Sequence, residues 1–250
     1  LCNVLVEDDK TAVVVEVNSE TDFVAKNEKF QSFVASVAKQ ALVSKSENID
    51  EFVQENWIED SAKTVKDALV EQISVIGENL TIRRFEKVVA QNGCVVSYVH
   101  GGGRIGVIIE ADTTVVNDQV KTALTNVAMQ VAALSPKYVS QADVSEEYKN
   151  HEKEILLAQA KNENPDKPES IIEKMIIGRL NKELKEVCLC EQVYVKAEDG
   201  KQTVDAYLKQ ISKEVGSDVV IKRFVRFETG EGIEKKEEDF AAEVAKQMGQ

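Results

Sequence analysis

With 250 residues, 43% hydrophobic and 30% charged, the chain has material for one large globular domain or two modest ones. Its 31 Lys and Arg against 44 Asp and Glu leave a formal net charge of −13, a field that repels a phosphate backbone and argues against direct nucleic-acid binding. No apolar run approaches the ~18–20 residues of a membrane span, and LCNVLVEDDK has neither the basic n-region nor the apolar core of a signal peptide, so a cytoplasmic protein is expected.

The first ten residues open on a strand-like apolar run with no initiator Met, which suggests a chain cut from a longer precursor. Glu7, Asp8 and Asp9 read as a solvated turn before Thr11–Asn18, TAVVVEVN, a β-branched run with strand character. A polar stretch over 19–27, SETDFVAKN, contains Phe23. A Phe there either packs back beneath the next helix or protrudes as a hydrophobic hot spot for another protein. That helix is predicted over 30–42, where Phe30, Phe33, Val34, Val37 and Ala38 recur at helical spacing. Further on, residues 76–85 read IGENLTIRRF, a turn leading into an alternating strand.

The same order then repeats. Residues 104–112, RIGVIIEAD, form a strand, and 120–134 form a helix with Val120, Leu124, Val127, Ala128, Val131 and Leu134 on one face. Residues 215–224, VGSDVVIKRF, match IGENLTIRRF nearly position for position. The basic pairs Arg83–Arg84 and Lys222–Arg223 are either a ligand-binding element or strand ends with one residue buried and one solvated. The second copy is interrupted over 140–187 by a charged insertion with two helical patterns, separated at 162–170 by NENPDKPES. Two helices so joined should pack antiparallel as a projecting hairpin, suited to partner contact or self-association. A short terminal helix is expected over 237–248, with Phe240 and Val244 on one face.

Gly101, Gly103 and Gly106 formally satisfy G-x-G-x-x-G, but a strand rather than a helix follows, so the glycines are expected to form a hairpin loop and not a nucleotide cradle. His100 precedes that loop, and His151 sits in the charged arm. Cys2, Cys94, Cys188 and Cys190 include no Cys-x-x-Cys pair, so no metal site is expected. Cys188 and Cys190 would lie on one side of a strand as small buried residues, in keeping with a reducing cytosol. Neither histidine has an evident Ser, Cys or Asp partner, and no catalytic constellation or cofactor motif assembles.

TDFVAKN resembles the signature of the bacterial elongation factor Ts family, guanine-nucleotide exchange factors for the GTPase elongation factor Tu. The similarity runs over essentially the whole chain, through EVNSETDFVAKNEKF, IGENLTIRRF, SYVHGGGRIGV, the helical arm and RFETGEGIEKKEEDFAAEVA. It implies a non-enzymatic protein of α+β class: two related α+β core subdomains with antiparallel sheets, a helical-hairpin (coiled-coil) insertion in the second, and a C-terminal helical module. The corresponding division is 1–93, then 94–139 with 188–229, then 140–187 for the insertion and 230–250 for the terminal module. The family also has a small N-terminal helical domain, and this sequence begins after it. Carried over motif by motif, the resemblance implies that Asp22 and Phe23, flanked by Thr21 and Val24, enter the partner's GTP-binding domain near its Mg²⁺ site. It places Ile76 on the same face, His100 at a second contact, and Tyr194 and Val195 against other domains of the partner.

Overall fold

The computed structural model of the chain describes residues 1–234. Strands β1 (Cys2–Glu7) and β2 (Thr11–Asn18) are followed by the single turn α1 (Asp22–Ala25), α2 (Glu28–Val43), α3 (Ile49–Phe52) and the small hairpin β3 (Asn56–Trp57) and β4 (Asp60–Thr64). Helix α4 (Val65–Ile76) and β5 (Thr81–Val89) complete the first half. The second half contains β6 (Gly93–His100), β7 (Ile105–Asp112), α5 (Asp118–Leu134), α6 (Glu146–Glu163), α7 (Glu169–Val187), α8 (Val204–Val215) and β8 (Val220–Glu228). The fold is mixed α+β, with antiparallel sheets in the orders β1-β2-β5, β3-β4 and β6-β7-β8. The predicted helix starts over 30–42 and 120–134 lie within two residues of α2 and α5. The expected helix over 237–248 falls outside the described residues.

Strand alternation explains why β2 is buried on both faces. Val13, Val15 and Val17 join Phe30, Phe33, Val34 and Val37 of α2 in one core. Ala12 and Val14 point the other way, into a cluster with Val95, Ile108 and Phe227 of the second sheet. Strand β7 mirrors this arrangement. Val107, Ile109 and Ala111 pack with Leu124, Val127 and Val131 of α5, while Ile108 faces the first sheet. The two three-stranded sheets therefore lie face to face with helices outside. Gly106 allows their close approach: a Cβ there would stand 3.0 Å from Val14 Cγ2 and 3.2 Å from both Cys2 Cβ and Val4 Cγ1.

The next side chain in the row Ala12, Val14 is Glu16, with no exposed surface. A buried carboxylate needs partners. Its Oε1 accepts from Gly230 N (2.8 Å), Arg83 Nη1 (3.0 Å) and Asn18 Nδ2 (3.1 Å), and its Oε2 from Arg84 Nε (2.5 Å). Both arginines reach it because β5 bulges there: Glu16 pairs with Arg84 but Val17 with Ile82, leaving Arg83 as the extra residue. The basic pair is thus neither a ligand element nor one residue in and one out. In the second sheet the shift recurs at Glu110/Ala111, with Lys222 as the extra residue. There Lys222 and Arg223 are exposed and pair with Asp112 and Glu86.

Helices α6 and α7 pack on each other. Tyr148 meets Leu184 near the body, and Ala160 meets Ile172 and Ile176 near the connection, as antiparallel packing requires. Cys188 and Cys190 do not lie on a strand. Cys188 caps a 3-10 turn, Leu189–Glu191, and Cys190 lies within it, because the chain leaves α7 and turns at once along Tyr138 and Val139. Burial, then Glu191, raises the two thiols to about 11 and about 12, so both stay protonated and unreactive at neutral pH.

Burial alone would raise the Glu16 pKa, but the Gly230 amide, Arg83, Arg84 and Asn18 outweigh it and hold the carboxyl below its ordinary value. A group depressed on folding contributes stability that is complete above the unfolded pKa of ~4.3 and is lost as pH falls through the folded value. Glu16→Gln should therefore lower stability at pH 7 by on the order of 3 kcal/mol in urea denaturation. The gap to wild type should narrow below about pH 4, and a gap constant from neutral to acid pH would contradict this account.

Candidate functional site

The connection from β2 to α2 is built from caps at both ends. Thr21 has the extended backbone of an N-cap (φ −121°, ψ 157°), and its hydroxyl accepts from Val24 N at 3.4 Å. The same hydroxyl donates to Glu78 Oε1 at 2.6 Å, while Thr21 N donates to Glu78 Oε2 at 3.0 Å. Asn79 N donates in return to Glu20 Oε2 at 3.4 Å. At the far end Asn27 caps α2, its Oδ1 accepting from Lys29 N (2.9 Å) and Phe30 N (3.4 Å). Gln31 Nε2 donates to Ala25 O (3.1 Å), and the turn closes through Lys26 N to Phe23 O and Asn27 N to Val24 O.

Successive residues of a helical turn point ~100° apart. Val24 accordingly enters the core at 8% exposure, and Phe23 stands out at 80%. Of the two fates open to this Phe, the structure takes the protruding one. Asp22, exposed beside it, puts a carboxylate at the same tip.

Ile76, the last residue of α4, is half-buried and borders a shallow groove with Val75 whose other wall is Asn27, Glu28 and Lys29. It thus adjoins the exit of the Phe23 turn. Gly77 ends α4 in the left-handed region (φ 82°), which turns the chain to bring Glu78 under Thr21.

His100 is exposed at the end of β6, its Nδ1 3.0 Å from Tyr98 Oη. Gly101, Gly102 and Gly103 all have positive φ (60°, 63° and 97°), and the chain re-enters β7 antiparallel with His100 opposite Ile105. The glycines make a hairpin, as expected, and no helix N-terminus follows. Gly103 O accepts from Cys2 N at 2.7 Å, and Leu1 N donates to Val17 O at 2.5 Å. The glycine hairpin and the end of β2 therefore lie at the same end of the two sheets, with Leu1 and Cys2 between them.

Tyr194 is not available as a surface contact. It is 5% exposed, stacked on Tyr207 with ring centroids 4.2 Å apart. Val195 is exposed at 49%, as is Val193 on the other side. Alternation along an extended segment accounts for this pattern. The segment is held by Gln130, fully buried on α5: its Nε2 donates to Val193 O (3.0 Å) and its Oε1 accepts from Val195 N (2.8 Å). Reading the sequence for exposed contacts missed Glu20, Glu78 and Gln130. The one available signal was the position of Glu78 within the repeated IGEN and VGSD motifs.

Among the described residues no group of His, Cys, Asp and Glu could hold a metal ion, and no helix is long and apolar enough to cross a membrane. The site displays an aromatic side chain and a carboxylate and holds no reactive pair, which suits contact with another macromolecule.

A family profile described as Elongation factor TS matches residues 20–231. Elongation factor Ts of Clostridium tetani is 48% identical over 244 residues, covering 98% of this chain and 79% of that protein. The proteins of the same name from Clostridium kluyveri and Clostridioides difficile are each 50% identical over 242 residues, covering 97% of this chain and 78% of theirs.

The geometry separates stability from display at two adjacent residues. Phe23→Ala should change the free energy of unfolding by no more than ~0.5 kcal/mol, as for a surface substitution. Val24→Ala should cost about 1.5 kcal/mol for the methyl groups withdrawn from the core. Urea denaturation of the two variants checks this, and an equal loss in both would contradict it.

Proposed function

The chain belongs to the elongation factor Ts family, and we propose that it is a guanine-nucleotide exchange factor for elongation factor Tu, acting by insertion of the Asp22–Phe23 tip near the partner's Mg²⁺ and phosphate site. Membership makes it a translation elongation factor. The observation that carries the mechanism is Phe23, 80% exposed on a turn capped at both ends.

A protruding Phe gains ~1.5–3 kcal/mol when a partner buries it, which at ~1.4 kcal/mol per decade offsets one to two orders of magnitude of nucleotide affinity. The turn is ordered before contact, so little of that gain is lost to ordering it. Asp22 carries a negative charge to where the nucleotide's phosphates are held, and repulsion there adds to the effect. By linkage, a factor that weakens GDP binding is itself weakened by GDP to the same degree. Incoming nucleotide then displaces it, and the factor needs no nucleotide site or reactive group of its own.

Ile76 extends the contact from beside the turn, and His100 adds a second one at the same end of the sheets. Val195, joined by Val193, forms the contact to the partner's other domains, with Tyr194 supporting it from beneath. We divide the chain at 1–93, at 94–139 with 188–229, at 140–187 and at 230–250, and read the two core units as related by duplication. The hairpin of α6 and α7 exposes Ile171 and Ile177, a surface open to self-association.

Stopped-flow release of fluorescent GDP from elongation factor Tu tests the reading. The wild-type chain should accelerate release, and Phe23→Ala should reduce the accelerated rate by roughly 10–100-fold. Acceleration by Phe23→Ala equal to that of wild type would overturn the insertion mechanism.

A further inference from the structure

We propose that Glu78 is a positioning residue for exchange: its carboxylate fixes how far the Phe23 turn stands off the body and holds it there. This deepens the reading of Phe23 as the inserted tip and rests on it.

Glu78 follows the helix-ending glycine of the first half, and Ser217 follows that of the second, Gly77 and Gly216 having φ of 82° and 70°. Each side chain reaches back to the turn between the central strand of its sheet and the next helix. Ser217 Oγ receives Thr114 N at 3.1 Å and lies 2.7 Å from Thr114 Oγ1. Glu78 receives Thr21 N at 3.0 Å and Thr21 Oγ1 at 2.6 Å. In both halves one side chain takes the amide and meets the hydroxyl of the same threonine, Ser217 Oγ lying in addition 3.3 Å from Thr113 Oγ1.

The device is the same, but its reach is not. A Glu carboxylate extends about 2.5 Å beyond a Ser hydroxyl, so Glu78 can hold a turn that stands farther from its anchor. The turn on the short brace displays Val116 at 41% exposure, whereas the turn on the long brace displays Phe23 at 80%. The brace also fixes orientation. The Thr21 hydroxyl donates to Glu78 and accepts from Val24 N, so it cannot rotate without breaking one bond or the other. Glu20 and Asn79 tie the same two segments a second time. Placing Glu78 beside Glu20 and Asp22 gathers like charges, an arrangement opposed by their repulsion and offset here by hydrogen bonds to Glu78 and Glu20.

The test uses the full chain and two readouts: hydrogen exchange of the amides over 19–27 without the partner, and GDP release from elongation factor Tu across a range of chain concentrations. Glu78→Ala and Thr21→Val should both speed exchange at Val24. Both should lower the saturating release rate by about tenfold, the loss expected for a charge-assisted hydrogen bond, with a smaller change in the half-saturating concentration. Thr21→Ser, which keeps the hydroxyl, should release GDP faster than Thr21→Val. In a Phe23→Ala background, Glu78→Ala should cost nothing further. If Glu78→Ala compromises folding, Thr21→Val carries the same test. Wild-type release by Glu78→Ala and Thr21→Val beside slow release by Phe23→Ala would overturn this inference alone. Slow release with unchanged hydrogen exchange, or additive losses in the double variant, would also overturn it. Wild-type release by Phe23→Ala would overturn the reading of the tip and this inference with it.

Discussion

The buried carboxylate of Glu16 is the constraint on which the rest of the molecule depends. It sits where the inter-sheet row of β2 runs out of apolar neighbours, and desolvation makes it intolerable without donors. The donors come from Asn18 on the same strand, from both arginines of β5 and from the backbone at Gly230. Satisfying one charge therefore fixes the end of β2, the start of β5 and the segment that follows β8. Arg84 also stacks on the Phe227 ring at 4.1 Å, and Arg226 reaches Glu228 and Glu231, so the clamp continues across the second sheet. The bulge at Arg83 serves this arrangement, since a regular strand would turn one of the two arginines away.

Every proposed contact of the tip region is anchored from that end. The Phe23 turn leaves β2 three residues after Asn18, and the IGEN turn that braces it enters β5 just before the two arginines. The glycine hairpin with His100 is joined to the same place through Leu1 and Cys2. A rigid base matters for the proposed insertion, because a tip on a loose base would yield instead of displacing its target. The site is also economical in its dependence on the core. Val24 is buried beneath the turn while its neighbour Phe23 stands exposed, so the proposed insertion and the packing of the turn rest on different side chains.

Much of this was legible in the sequence, and the reasons are specific. Periodicity located α2 and α5 because each has a continuous apolar stripe against a sheet. The repeat was visible because both halves use the same succession: strand, helix, helix-ending glycine, then a bulged strand with a basic pair. What escaped was decided by tertiary contacts. Arg83 and Arg84 carry no mark that both will turn to one carboxylate, and Glu16 looks like any polar residue near a strand end. Tyr194 and Val195 are adjacent in sequence, yet packing on Tyr207 buries one while the clamp from Gln130 presents the other. Phe23 itself was ambiguous, because burial tendencies alone favour packing inward. Its direction is settled by the paired caps at Thr21 and Asn27 and by Glu78, which lies 57 residues away from Thr21.

The proposed insertion is at root a claim about coupling between two ligands on one GTPase. The direct measurement is the equilibrium affinity of the chain for elongation factor Tu, taken without nucleotide and at saturating GDP, for wild type and Phe23→Ala. The account predicts that wild type binds the nucleotide-free partner much more tightly than the GDP-bound one, and that Phe23→Ala narrows this ratio by at least about tenfold. An unchanged ratio in Phe23→Ala, whatever the absolute affinities, would contradict it.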